Sequence, residues 1–145
     1  YLEFADQKTL PANNVTQDET SIALFTHIDD LIREQALFKQ PRFSLRDLAT
    51  ASGLNEKLLS SLINQQAGKN FNDYINSLRV GAICHHLIQH PEDGQILNIA
   101  LDMGFNAKST FNTAFKKETG LTPSEFVKQH HNKVQNHDSG RETAK

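Results

Sequence analysis

Two short runs of the chain offer the same kind of chemistry. Lys57, Ser60, Ser61 and Asn64 form one set, and Lys108, Ser109, Asn112 and Thr113 form the other. Helical spacing puts the first set opposite Leu58, Leu59 and Leu62, and the second set on the corresponding face of its own run. These groups donate and accept hydrogen bonds, and nothing beside them would activate a nucleophile. Their chemistry is therefore recognition. Lysine can donate to O6 and N7 of guanine, asparagine can pair bidentately with adenine, and serine and threonine discriminate less. Neither face carries an arginine, which weakens guanine readout and leaves a larger share to the shape of the bound surface. The plain alternative is two solvated polar faces.

Other constellations carry less. His86 and His90 lie four apart with His85 beside them, so a metal sensor is conceivable. No acidic or cysteine partner stands at ligand spacing, so the cluster reads as surface, and neither metal nor cofactor is expected. Cys84 reads as a small buried hydrophobe. The chain lacks a glycine-rich phosphate loop and a Ser-His-Asp order with its elbow, so nothing supports an enzyme.

The elements that must hold the polar faces are helices. Thr16 to Glu19 can form a capping box that opens a helix with Leu24, Phe25, Ile28, Leu31 and Ile32 on one stripe. Ser44 caps a short helix with Leu45, Leu48 and Ala49, which Gly53 breaks. Asn55 caps the next, with Leu58, Leu59, Leu62 and Ile63 inward, up to Gly68. Asn70 opens a long helix through Phe71, Tyr74, Ile75, Leu78, Ala82, Ile83 and Leu87. It ends at His90-Pro91, because proline disfavours αR geometry in the residue before it, and Asp93-Gly94 turns the chain.

The pattern then restarts. Ile96, Ile99, Ala100 and Gly104 repeat Leu45, Leu48, Ala49 and Gly53 at an offset of 51. Phe111, Phe115, Gly120 and Phe126 repeat Leu59, Ile63, Gly68 and Tyr74 at an offset of 52. Solenoid repeats need about three or more units for stability. Two units joined by a helix point instead to two equivalent lobes. Each unit reads as a helix-turn-helix: alanine lets a second helix cross closely, and glycine at the turn accepts positive φ. The joining helix, from about Asn70 to His90, is roughly 30 Å long at about 1.5 Å per residue. Successive major-groove entries on one face of B-DNA lie roughly 34 Å apart.

Thirty-seven per cent of residues are hydrophobic and 22 per cent charged, as in ordinary soluble domains. The net charge is −2, but residues 1–41 contribute −4 and residues 42–130 contribute +1. The repeat region is thus slightly basic. A lone cysteine excludes an internal disulfide and fits a reducing compartment. No apolar run is long enough to span a membrane and no signal peptide opens the chain, so a cytoplasmic location is expected.

The run IALDMGFNAKSTFNTAFKKETGLTPSEF resembles the signature of AraC/XylS-type transcription regulators: I-A-x-x-x-G-F, an aromatic-x-x-x-F-K-K, then G-x-T-P-x-x-aromatic. The likeness covers about Phe43 to Gln129, and Thr16–Gln40 fits additional helices before it. SLINQQAGKNFNDYINSLRV is similar to a subgroup whose N-terminal sensor is often a set of membrane helices. The resemblance implies that the two polar faces read bases in promoter DNA. It implies an N-terminal sensor region absent from this chain, tethered to the inner membrane if the subgroup pattern holds. RNA polymerase is a further expected partner.

Phosphate contacts are expected from other elements. Thr122-Pro123-Ser124-Glu125 is a capping box with proline at the first helical position, and free amides at a helix start attract anions. Thr122 and Ser124 are candidates there, as is Asn70 at the equivalent place in the first unit. Arg46, Lys69, Arg79, Lys116 and Lys117 are side-chain candidates. Asp73 and Glu125 would repel phosphate if they pointed at it.

The expected fold is all-α: two homeodomain-like three-helix lobes of helix-turn-helix type, joined by a long central linker helix. Residues 1–15 form a linker and residues 16–90 the first lobe, with the linker helix at about 70–90. Residues 91–130 form the second lobe and residues 131–145 a tail. The expected function is sequence-specific binding of double-stranded DNA, one recognition helix in each of two successive major grooves. The alternatives are a helical protein-interaction module and a histidine-cluster metal sensor.

Overall fold

The computed structural model describes residues 17–90 and 94–130. The expected linker, the Thr16 cap, the Pro91–Asp93 turn and the C-terminal tail lie outside the described residues. Every regular element among the described residues is helical. Helix α1 is Gln17–Glu34, α2 is Leu45–Ser52, α3 is Glu56–Ala67, α4 is Phe71–Gln89, α5 is Ile96–Asp102 and α6 is Lys108–Thr119. A final helix, α7, covers 123–130.

Local chemistry fixes the helix starts. The Ser44 hydroxyl accepts from the Asp47 amide at 3.1 Å, and the Asp47 carboxylate accepts from the Ser44 amide at 2.9 Å. Asn55 and Asn70 each cap with a side-chain oxygen that accepts the amide three residues on, from Leu58 and Asp73. Thr122 and Glu125 close the same reciprocal box at α7.

Two hydrophobic cores result. Ile28 and Ile32 of α1 meet Leu48, Leu59, Leu62, Ile63, Phe71, Tyr74, Ile75 and Leu78 in the first. Ile83 and Leu87 meet Ile99, Ala100, Phe105, Phe111 and Phe115 in the second. An aromatic ladder, Phe105–Phe111–Phe115–Phe126, runs through the second core with centroids 5.4 to 5.7 Å apart. These are edge or tilted contacts that ring quadrupoles favour.

Helix α4 serves both cores, Tyr74, Ile75 and Leu78 on one side and Val80, Ile83 and Leu87 on the other. A helix sandwiched in this way has no single apolar stripe, which is why Val80 escapes a one-face reading. Gly81, on its exposed side, has no heavy atom within 4 Å of where a Cβ would stand. It is therefore not a close-packing glycine. Cys84 is half-buried against the second core, and burial pushes its thiol up to about 11.

One element is not legible in the sequence. After α1 the chain turns at Ala36, which sits at φ +52°, into a 3₁₀ turn at Leu37–Lys39 that buries Leu37 and Phe38. Alanine rarely takes this left-handed geometry.

A two-lobed nucleic-acid interface

Helices α3 and α6 occupy equivalent places and each follows a turn built on glycine. Gly53 has φ +79° and its amide bonds the Ala49 carbonyl at 2.9 Å. Gly104 has φ +111°, and here the Gly104 and Phe105 amides bond the Leu101 and Ala100 carbonyls, both at 3.1 Å. That pair of bonds is a Schellman closure, so the second turn is tied down more firmly than the first.

On α6, Lys108, Ser109, Asn112 and Thr113 are all exposed, while Phe111, Ala114 and Phe115 face inward. On α3, Lys57, Ser61 and Asn64 are exposed and Ser60 is half-buried. The Asn64 amide donates one hydrogen to the Ser60 carbonyl at 2.9 Å, which leaves its second N–H and its oxygen for outward contacts.

Each lobe carries a groove beside its exposed helix. The second-lobe groove, about 930 Å³, is lined by Lys108, Asn112, Thr113, Lys116, Lys117, Thr122 and Ser124 over Ile96, Leu97 and Phe111. The first-lobe groove, about 750 Å³, is lined by Arg42, Ser44, Leu45, Ser60, Asn70, Phe71 and Asn72, among others. Leu45, Ser60, Asn70, Phe71 and Asn72 are the repeat equivalents of Ile96, Asn112, Thr122, Pro123 and Ser124. The two grooves thus share these five repeat positions, while the first also takes in Asn106 and Thr110 of the second lobe. Lys57, Ser61 and Asn64 do not line the first groove, and Ser109 lines a smaller cleft with Asp73, Asn76 and Lys117.

The charged groups divide. Lys116 is exposed at the groove wall, and Arg46 is exposed with a loose 3.9 Å contact to Glu56. Lys117 pairs with Asp73 at 2.9 Å, and Lys69 lies between both Glu118 oxygens at 3.0 and 2.9 Å. A phosphate would have to compete with those carboxylates. Glu125 accepts from the Thr122 amide, so a carboxylate already occupies part of that helix start. That bond, with the Thr122 hydroxyl, holds the Glu125 carboxyl below its ordinary value.

Arg79 lines the first groove but is already engaged. Expected as a phosphate contact, it is 8% exposed, and its guanidinium is engaged inside the protein by Phe38, Gln40 and Asn76. Three of its donors are thus taken within the protein. Conversely, Arg42 and Asn72 line the first groove and were not anticipated. The offset of 52 would have found Asn72 from Ser124.

The rings of His86 and His90 meet at a tilt of 41° with centroids 4.8 Å apart, and no group of three or more metal-ligating side chains occurs among the described residues. No helix among them is long and apolar enough to cross a membrane.

A helix-turn-helix domain family matches residues 48–129, more than half of the chain, and spans both units. The chain belongs to the AraC family of helix-turn-helix DNA-binding domains. The transcriptional activator RhaR of Escherichia coli strain K12 is 32% identical over 103 residues, covering 70% of this chain and 35% of RhaR. The chain thus spans about a third of the length of that relative. A protein of unknown function from Listeria innocua has 30% identity and TM-score 0.62, over 73% of this chain and 96% of that one. An AraC-type regulator from Chromobacterium violaceum shares the fold at TM-score 0.60 and 21% identity, over 74% and 96% of the two chains. The AraC-type fold accounts for the duplication: two helix-turn-helix units hung on one helix.

Proposed function

We propose that the chain is the DNA-binding part of a transcription regulator, and that α3 and α6 enter two successive major grooves of promoter DNA. The observation that carries this reading is the recurrence of one helix-turn-helix on a single chain, with five groove-lining positions equivalent between the two units. At 19 residues, α4 has a length of roughly 28 Å, near the roughly 34 Å helical repeat of B-DNA. Lys108, Ser109, Asn112 and Thr113 read bases in one groove, and Lys57, Ser60, Ser61 and Asn64 read the other. Asn112, exposed at the groove wall, is the residue best suited to pair with adenine.

Thr122, Ser124, Asn70, Lys116 and Arg46 meet phosphates, and Arg42 and Asn72 join them. Lys69 and Lys117 contribute only by exchanging their carboxylate partners for phosphate. As RhaR is named a transcriptional activator, RNA polymerase and a sensor region elsewhere in the whole protein are natural partners, with the DNA complex in the cytoplasm.

Selection of bound fragments from random DNA, followed by binding of Asn112→Ala and Lys116→Ala to the selected site and to scrambled DNA over a salt series, tests this. Asn112→Ala is expected to cost about 1–3 kcal/mol on the selected site and to relax preference at one base position. Lys116→Ala is expected to weaken both DNAs alike and to reduce the salt slope by about one. Equal weakening of both DNAs by Asn112→Ala, with unchanged base preference, removes it from the reading face.

A further inference from the structure

Arg79 is the single charged side chain buried among the described residues. Its Nε donates to the Phe38 carbonyl at 2.6 Å, Nη2 to the Gln40 carbonyl at 2.9 Å, and Nη1 to Asn76 Oδ1 at 3.0 Å. None of these acceptors is a carboxylate. A buried ion without a counter-ion is costly unless its hydrogen bonds are well made, so such a side chain calls for a reason.

The reason lies on its other side. The guanidinium carbon stands 5.6 Å from the centroid of Phe105, which belongs to the second lobe. A Cβ on Gly104 would come within 2.7 Å of both Arg79 Nε and the Phe38 carbonyl oxygen. The turn of the second helix-turn-helix is therefore seated against the arginine and against the 3₁₀ turn of the first lobe. Gly53, the repeat equivalent, has nothing within 4 Å of its Cβ position. The crowding thus belongs to the junction between the lobes and not to the turn type.

We infer that Arg79 is a positioning residue that fixes the angle between the two helix-turn-helix lobes, and through it the half-site spacing that the chain accepts. This rests on the two-groove reading given above. The apolar contacts that hang each lobe on α4 are non-directional. The arginine fork is planar, with its donors at fixed angles, so it supplies direction. The cross-lobe pairs Lys69–Glu118 and Lys117–Asp73 are more exposed and yield more readily. One extra base pair between half-sites would rotate them by roughly 35° and shift them by roughly 3.4 Å, which a locked pair of lobes cannot follow.

The test compares the parent with Arg79→Met and Arg79→Lys. Residual dipolar couplings of the free proteins report lobe orientation without DNA. Fluorescence anisotropy is read on the selected site and on sites with one base pair added or removed between half-sites. In the parent, one alignment tensor should fit both lobes, and the altered spacings should weaken binding at least about tenfold. In Arg79→Met, each lobe should fit its own tensor, binding to the selected site should fall, and the spacing penalty should shrink to about threefold or less. Arg79→Lys, which keeps charge but not the fork, should lie between. A single parent-like tensor and an unchanged spacing penalty in Arg79→Met overturn the inference. Should Arg79→Met fail to fold, Arg79→Lys decides by the same two readouts, and loss of folding in both assigns Arg79 to stability alone and overturns the inference too. If the parent selects no DNA, the two-groove reading fails, while the couplings still judge the lock between the lobes.

Discussion

At the scale of single residues, the two turn glycines separate two jobs that sequence treats as one. Gly53 needs only its left-handed φ, whereas Gly104 needs that and the absence of a side chain. Gly81 needs neither. It is helical, exposed and has room for a Cβ. Gly81→Ala is therefore expected to stabilise the chain by about 0.4–1 kcal/mol, read as a raised denaturant midpoint with an unchanged slope. A lowered midpoint would mean that α4 depends on the freedom of that position. The polar faces were legible because a helix repeats every 3.6 residues and opposes them to buried leucines and phenylalanines. Arg79 was not legible, because its acceptors, the carbonyls of Phe38 and Gln40, belong to a turn whose left-handed Ala36 gives no signal in sequence. The partners of Lys69 and Lys117 were hidden for a similar reason: Glu118 and Asp73 lie 49 and 44 residues away.

At the scale of elements, side-chain caps set where α2, α3, α4 and α7 begin, and they were readable since donor and acceptor are three residues apart. Ser44→Ala removes one half of the box at α2 and is expected to cost about 1 kcal/mol, measured by chemical denaturation. At α7 the box can be followed by titration. The Thr122 amide and hydroxyl hold the Glu125 carboxyl below the ordinary glutamate value. A depressed carboxyl contributes stability above its unfolded value and loses it as pH falls through the folded one. Carbon-detected NMR of Glu125 should thus show a titration midpoint below that of ordinary glutamates, and Thr122→Val should raise it. An unshifted midpoint in the parent would place Glu125 in solvent, without the box. Helix α4 behaves differently. Tyr74, Ile75, Leu78, Ile83 and Leu87 were legible as apolar positions, but Val80 and the division between two cores were not, because burial on opposite sides erases the stripe that periodicity detects.

At the scale of the whole molecule, the proposed function makes the duplicated chain a two-site reader. Each lobe has its own core and its own glycine-built turn, and α4 is common to both. Arg79 with Gly104, and more weakly the two cross-lobe ion pairs, convert a shared helix into a defined angle. A monomer built this way needs no second copy to contact two groove segments, in contrast to dimers that place one helix per subunit. Hydroxyl-radical footprinting of the monomeric chain on its selected site tests that claim most directly. Two protected patches on one face of the duplex, with centres about 10–10.5 base pairs apart, are expected, and Asn112→Ala should weaken one patch and leave the other. A single patch of one half-site, or two patches that appear only when a second copy binds, would contradict it.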